Sequence, residues 1–155
     1  MTSDKSTEPI CTDVVGTPDS MGGLVAPRYR VLVADDEESV ALVLSETLSD
    51  LGLEVQTVRN GLDALRSADE KPPDLLICDV MMPLANGLEV LRKLRERAPT
   101  ATTPVLLMSA AGRPPFNDER ARFVAKPFNL QAVIDIVIAT LSNRPLPAHR
   151  DGDAD

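Results

Sequence analysis

Residues 30–36, RVLVADD, and residues 74–79, DLLICD, decide the fold of this chain. Each is a short apolar run without the alternation of a half-solvated strand, so each fits a β-strand covered on both faces. Each also ends in acid, which puts Asp35, Asp36 and Asp79 at strand ends. Pro104–Ser109 (PVLLMS) repeats the pattern and closes on a hydroxyl, whereas Val55–Val58 reads as a weaker strand and Phe123–Lys126 (FVAK) as a minimal one.

Helical spacing fills the intervals. Val40, Val43 or Leu44, Leu48 and Leu51 recur at helical spacing, and Gly52 stands where a C-terminal cap belongs. Gly61–Ala68 predicts a short helix stopped ahead of Pro72 and Pro73, and Asn86 can cap a helix carrying Leu88, Leu91 and Leu94. Asn129 can cap a last helix. There Leu130, Ile134, Val137, Ile138 and Leu141 form the expected core stripe, and length and spacing outweigh the β-branched composition. Strands alternating with helices imply right-handed crossovers and an α/β domain built on a doubly wound, five-stranded parallel sheet with helices on both faces. In such sheets ligands bind beyond the carboxyl ends of the strands where strand order reverses, and Asp35, Asp36, Asp79, Ser109 and Lys126 all fall at such ends.

The chain has 155 residues, 43% apolar and 26% charged, which fits one globular domain over 28–143. Residues 1–27 and 144–155 are rich in small, polar and proline residues without apolar periodicity, and both read as flexible tails. The formal charge of −8 argues against direct binding to nucleic acid and against docking on an anionic membrane. Two cysteines, no membrane-length apolar run and no basic, apolar leader make the cytoplasm the expected compartment.

Three carboxylates on neighbouring strand ends repel one another unless a cation sits between them. An all-oxygen donor set with room for water suits Mg²⁺, or Mn²⁺ in its place, and Lys126 adds a fixed positive charge. Phosphoryl transfer asks for little more than an in-line nucleophile and neutralised equatorial oxygens. Asp79 can be that nucleophile, with metal, Lys126 and the Ser109 hydroxyl on the three oxygens.

The ADDEE at 34–38, the CDVMMPLANGLEVL around Asp79, the strand-end Ser109 and the KPF at 126–128 together resemble the receiver domain of two-component response regulators, a CheY-like, flavodoxin-like three-layer sandwich. The likeness runs over about residues 29–142 and implies a single-domain form of that family. It implies that Asp79 is the phosphoacceptor and that Asp36, Asp79 and the Met81 carbonyl bind Mg²⁺ directly, with Asp35 in support. Ser109 and Phe123 become the switch pair. The implied partners are a sensor histidine kinase or histidine phosphotransferase and a downstream protein. Catalysis is confined to the chain's own phosphorylation and dephosphorylation, so it is not an enzyme on external substrates.

Two departures stand out. The interval from Ser109 to Lys126 is shorter than the family's usual spacing, and Gly112, Pro114 and Pro115 disfavour a full helix, so the fourth helix is expected to be truncated or missing. That loss is expected to leave Val133 and Ile136 exposed on the last helix as a partner or homodimer surface. In addition, Met81 and Ala111, two residues beyond Asp79 and Ser109, cannot orient a hydrolytic water, which predicts slow self-dephosphorylation.

Plainer roles exist for the same residues. Asp35 and Asp36 could cap the first helix, Phe123 could be ordinary core, and Cys78 is expected to be an inert buried hydrophobe. Two rival functions also compete. A haloacid-dehalogenase-like phosphatase wants a second aspartate two residues after the nucleophile, where this chain has Met81. A phosphate-independent pseudo-receiver would keep the fold alone, and the intact Asp35, Asp36, Asp79 and Lys126 speak against it.

Overall fold

The computed structural model describes residues 28–143; the expected tails at 1–27 and 144–155, with Cys11 and His149, lie outside the described residues. Five strands appear in chain order: β1 (Arg30–Ala34), β2 (Glu54–Val58), β3 (Leu75–Asp79), β4 (Val105–Ser109) and β5 (Ala121–Ala125). They form one sheet of order β2-β1-β3-β4-β5 with every neighbouring pair parallel. Four α-helices connect and follow them: α1 (Glu38–Asp50), α2 (Gly61–Glu70), α3 (Gly87–Arg95) and α4 (Leu130–Ser142).

The sheet separates two cores because side chains alternate along a strand. Val31, Val33, Leu75, Ile77, Leu106 and Met108 face α1 and α4, while Leu32, Ala34, Leu76, Cys78, Val105 and Leu107 face α2 and α3. Every residue of β1, β3 and β4 is buried, which is why those strands read as unbroken apolar runs. The outer strands β2 and β5 are only partly covered, and their signal is correspondingly weaker.

Helix starts follow local chemistry. The Asn60 side chain accepts from Asp63 N, and Asn129 does so from Ala132 N. At α3, Asn86 and Glu89 exchange side-chain and backbone hydrogen bonds as a capping box. Gly52, at φ +89°, follows the C-cap Leu51 in the left-handed conformation that favours glycine.

No α-helix forms between β4 and β5, as Gly112, Pro114 and Pro115 predict. An irregular segment replaces it. Phe116 packs against the core shared with α2 and α3. The Asp118 carboxylate receives Arg95 Nε at 2.8 Å and an Arg95 terminal nitrogen at 3.2 Å. This two-pronged bond ties the segment to α3 and holds the Asp118 carboxyl below its ordinary range.

Two expectations about helix faces are corrected. Val133 is fully buried, and Ile136 is half-buried against the same core. They offer no exposed apolar patch of the kind expected. The α4 stripe is Val133, Val137 and Leu141, which leaves Ile138 49% exposed. On α1 the buried positions are Ala41, Leu44 and Leu48, while Val43 and Leu51 face outward. Both helices carry apolar side chains on more than one side, so spacing alone does not set their rotation.

The rotation of α4 is directly testable. Val133→Ala should lower unfolding free energy by about 2 kcal/mol, whereas Ile138→Ser should change it by less than about 0.5 kcal/mol. Urea unfolding of both variants checks this; the opposite ranking would place Val133 outside.

Candidate functional site

The sheet order reverses between β1 and β3: the crossover from β1 leads outward to β2, and that from β3 leads the other way to β4. A crevice at the carboxyl ends of these strands follows from the topology. Asp35 and Asp36 are the first residues beyond β1, Asp79 ends β3, Ser109 ends β4 and Lys126 follows β5. Backbone bonds continue the ladder past the strand ends, from Asp35 N to Val58 O (3.1 Å), Val80 N to Met108 O (2.8 Å) and Lys126 N to Ser109 O (2.9 Å). Asp35 and Asp79 are therefore held by the backbone ladder of the sheet. The peptide bond between Lys126 and Pro127 is cis.

Glycine is required where α3 starts against this end of the sheet. A Cβ on Gly87 would lie 2.8 Å from the Asp79 carbonyl oxygen and 2.9 Å from Val80 Cα. Gly87 N instead donates to Val80 O at 2.9 Å. Any side chain at 87 would push α3 away from the residue carrying the site's central carboxylate.

Asp35, Asp36 and Asp79 each offer a carboxylate oxygen, and the three lie within 4.8 Å of one another. Asp35 is wholly buried and Asp79 nearly so, whereas Asp36 is exposed. Asp35 Oδ1 accepts from Glu37 N at 2.8 Å. That bond orients the carboxylate but does not cap α1, whose N-cap Glu37 has no side-chain cap bond. Asp35 Oδ2 is buried and accepts no hydrogen bond, although Lys126 Nζ stands 3.0 Å away as an ion-pair partner. An all-oxygen cluster with an unsatisfied buried oxygen fits a hard divalent cation.

The electrostatics are those of a site short of positive charge. Burial pushes the Asp79 carboxyl up to about 6, and the neighbouring Asp35 charge adds to it; Lys126 and the Met81 backbone N–H act in the opposite sense. Burial works against the Lys126 ammonium. The hydrogen bond to Glu37, the close Asp35 carboxylate and the charge of Asp79 outweigh it and hold the lysine above its ordinary range. Burial beside Asp79 and Asp35 drives the Cys78 thiol far up, so it stays un-ionised and inert.

Ser109 is buried, and its Oγ accepts from Ala111 N at 3.0 Å. Phe123 is partly buried on the α2/α3 side of β5, next to the segment that replaces a helix. Met81 is 65% exposed. The sequence reading missed Glu37 as a site residue: its Oε1 lies 2.6 Å from Lys126 Nζ. The two residues are 89 positions apart, and only the third acid of ADDEE hinted at a role.

Fold and site together define a flavodoxin-like α/β domain whose switch point carries an acidic pocket closed by one lysine. The chain belongs to the response regulator receiver domain family of two-component signalling, whose model matches residues 31–138. It is 34% identical over 120 residues to the phosphate regulon transcriptional regulatory protein PhoB of Rhizobium meliloti, an alignment spanning 72% of this chain and 52% of the relative. It is also 38% identical over 81 residues to the alkaline phosphatase synthesis transcriptional regulatory protein PhoP of Bacillus subtilis, over 52% of this chain and 33% of the relative. The chain thus spans about half or less of these curated relatives.

Solved structures agree. A putative response regulator from Chloroflexus aurantiacus superposes with a TM-score of 0.66 at 29% identity, covering 75% of this chain and 99% of that one. The response regulator TrrA of Thermotoga maritima, solved with Mg²⁺ and BeF, gives 0.65 at 31% identity, covering 72% and 98%.

The raised Asp79 carboxyl has a signed consequence. Between the ordinary carboxylate value of 3.8 and about 6, native Asp79 keeps a proton that the unfolded chain has released, so its contribution to stability is lost as pH rises through that window. With divalent cations chelated, Asp79→Asn should therefore raise the thermal midpoint by roughly 3–6 °C at pH 7.5. The gain should disappear near pH 4. A gain that grows on acidification would contradict the assigned direction.

Proposed function

We propose that this chain accepts a phosphoryl group on Asp79 from a phosphohistidine and passes the change on through protein contacts. The observation that carries the reading is the convergence of Asp35, Asp36, Asp79 and Lys126 at the strand-order reversal, with a buried Asp35 oxygen left without a hydrogen bond. Asp35, Asp36, Asp79 and the Met81 carbonyl would hold Mg²⁺ or Mn²⁺. The metal would supply charge neutralisation on a phosphoryl oxygen.

In the transfer, an Asp79 carboxylate oxygen forms a bond to phosphorus while the donor's phosphorus–nitrogen bond breaks and its electron pair returns to the imidazole. The product is an acyl phosphate on Asp79 and a free histidine. Lys126 Nζ, 3.6 Å from Asp79 Oδ1, is placed to take a second phosphoryl oxygen, and the buried Ser109 hydroxyl a third. Phe123, on the neighbouring strand β5 and paired with Leu107, is the side chain we assign to follow Ser109. The only reaction we assign is on the chain's own aspartate.

The donor is a sensor histidine kinase or a histidine phosphotransferase. An apolar recess lined by Val40, Val43, Pro127 and Phe128 opens beside Glu37 and Lys126 and supports docking of such a protein there. We place this chemistry in the cytoplasm. Among the described residues no helix is long and apolar enough to cross a membrane. The exposed Met81 and the short Ala111 give no side chain that orients a water toward the acyl phosphate, which supports a long-lived phosphorylated state.

Incubation with acetyl phosphate and Mg²⁺, followed by intact mass measurement, tests this reading. One phosphoryl group should add to the wild type, none to Asp79→Asn and none when Mg²⁺ is chelated, and the adduct should persist for minutes or longer at neutral pH. An unmodified wild-type chain would instead support a phosphate-independent pseudo-receiver. Loss of the adduct within seconds would overturn the lifetime reading alone.

A further inference from the structure

We propose that Glu37 is a positioning residue that detains Lys126 in the unphosphorylated chain and so slows phosphoryl acceptance at Asp79. The inference rests on the proposed function and concerns the regulation of that site. Lys126 Nζ lies 2.6 Å from Glu37 Oε1, 3.0 Å from Asp35 Oδ2 and 3.6 Å from Asp79 Oδ1. Its shortest contact is thus with the one exposed carboxylate of the three, the Glu37 side chain being 58% accessible.

A phosphoryl oxygen on Asp79 and the Glu37 carboxylate compete for the same ammonium. Lysine carries its donor protons on one flexible stem, and with the ammonium drawn to 2.6 Å from Glu37 Oε1 it rests 3.6 Å from Asp79 Oδ1, outside hydrogen-bond distance. The Glu37 charge also stands beside the mouth that an anionic donor must enter. Both effects act in one direction: neutralising Glu37 frees Lys126 and weakens repulsion of the donor.

Removing the side chain should leave the fold intact. Glu37 occupies the N-cap position of α1 but makes no side-chain cap bond, and an ion pair with so exposed a partner contributes little stability. What it does contribute is where the ammonium rests.

Two measurements on the full chain decide the matter. With acetyl phosphate and saturating Mg²⁺, Glu37→Gln should phosphorylate roughly three- to tenfold faster than the wild type. Glu37→Asp, which keeps the charge but shortens the reach, should fall between. Without phosphate or metal, reductive methylation read by peptide mass spectrometry should modify Lys126 several-fold faster in Glu37→Gln than in the wild type. A Glu37→Gln rate no greater than wild type, or unchanged methylation of Lys126, overturns the proposal. If the wild type accepts no phosphoryl group, the proposed function fails by itself, and the methylation comparison still decides whether Glu37 holds the lysine.

Discussion

The ammonium of Lys126 faces Asp35, Asp79 and Glu37, and this imbalance of charge is the constraint on which the rest of the site depends. Buried carboxylates are costly unless paired, and one lysine among three acids pairs them incompletely. The fold sustains the arrangement because Asp35 and Asp79 are mounted at the ends of buried strands whose backbone ladder continues at or past them. Residual strain in the charge balance appears at Asp79, pushed up to about 6, and at Asp35, whose Oδ2 accepts no hydrogen bond. A site so short of positive charge suits a hard divalent cation.

Much of this was legible in the sequence because burial on both faces leaves an unmistakable pattern. RVLVA, LLICD and VLLMS are buried at every position, and the acids or hydroxyl that close those runs mark the functional ends. The two acidic strand ends needed no long-range information. The Glu37 contact did, since nothing in the spacing of two residues 89 positions apart brings them together. Helix rotation was lost for a different reason. In α4 the residues Val133, Ile134, Ile136, Val137 and Ile138 offer apolar atoms in several directions, and only the sheet beneath selects Val133 and Val137.

The segment between β4 and β5 shows how the chain manages without a helix there. Gly112 takes a left-handed conformation, Pro114 and Pro115 prevent helical hydrogen bonding, and Phe116 supplies apolar cover to the core beside α3. The paired bonds from Arg95 to Asp118 fix the segment in place. Ser109 and Phe123 bracket it, so in the proposed function a change at Ser109 is read by partners on a surface of loop and β5 rather than on a helix.

The central claim is that Asp35, Asp36 and Asp79 form one divalent-cation site. Crystals soaked in Mn²⁺ and measured at a wavelength where manganese scatters anomalously test it most directly. The account predicts a single strong peak bounded by those three carboxylates, lost in Asp36→Asn. A chain that binds Mn²⁺ elsewhere, or shows no peak at this crevice, would contradict it.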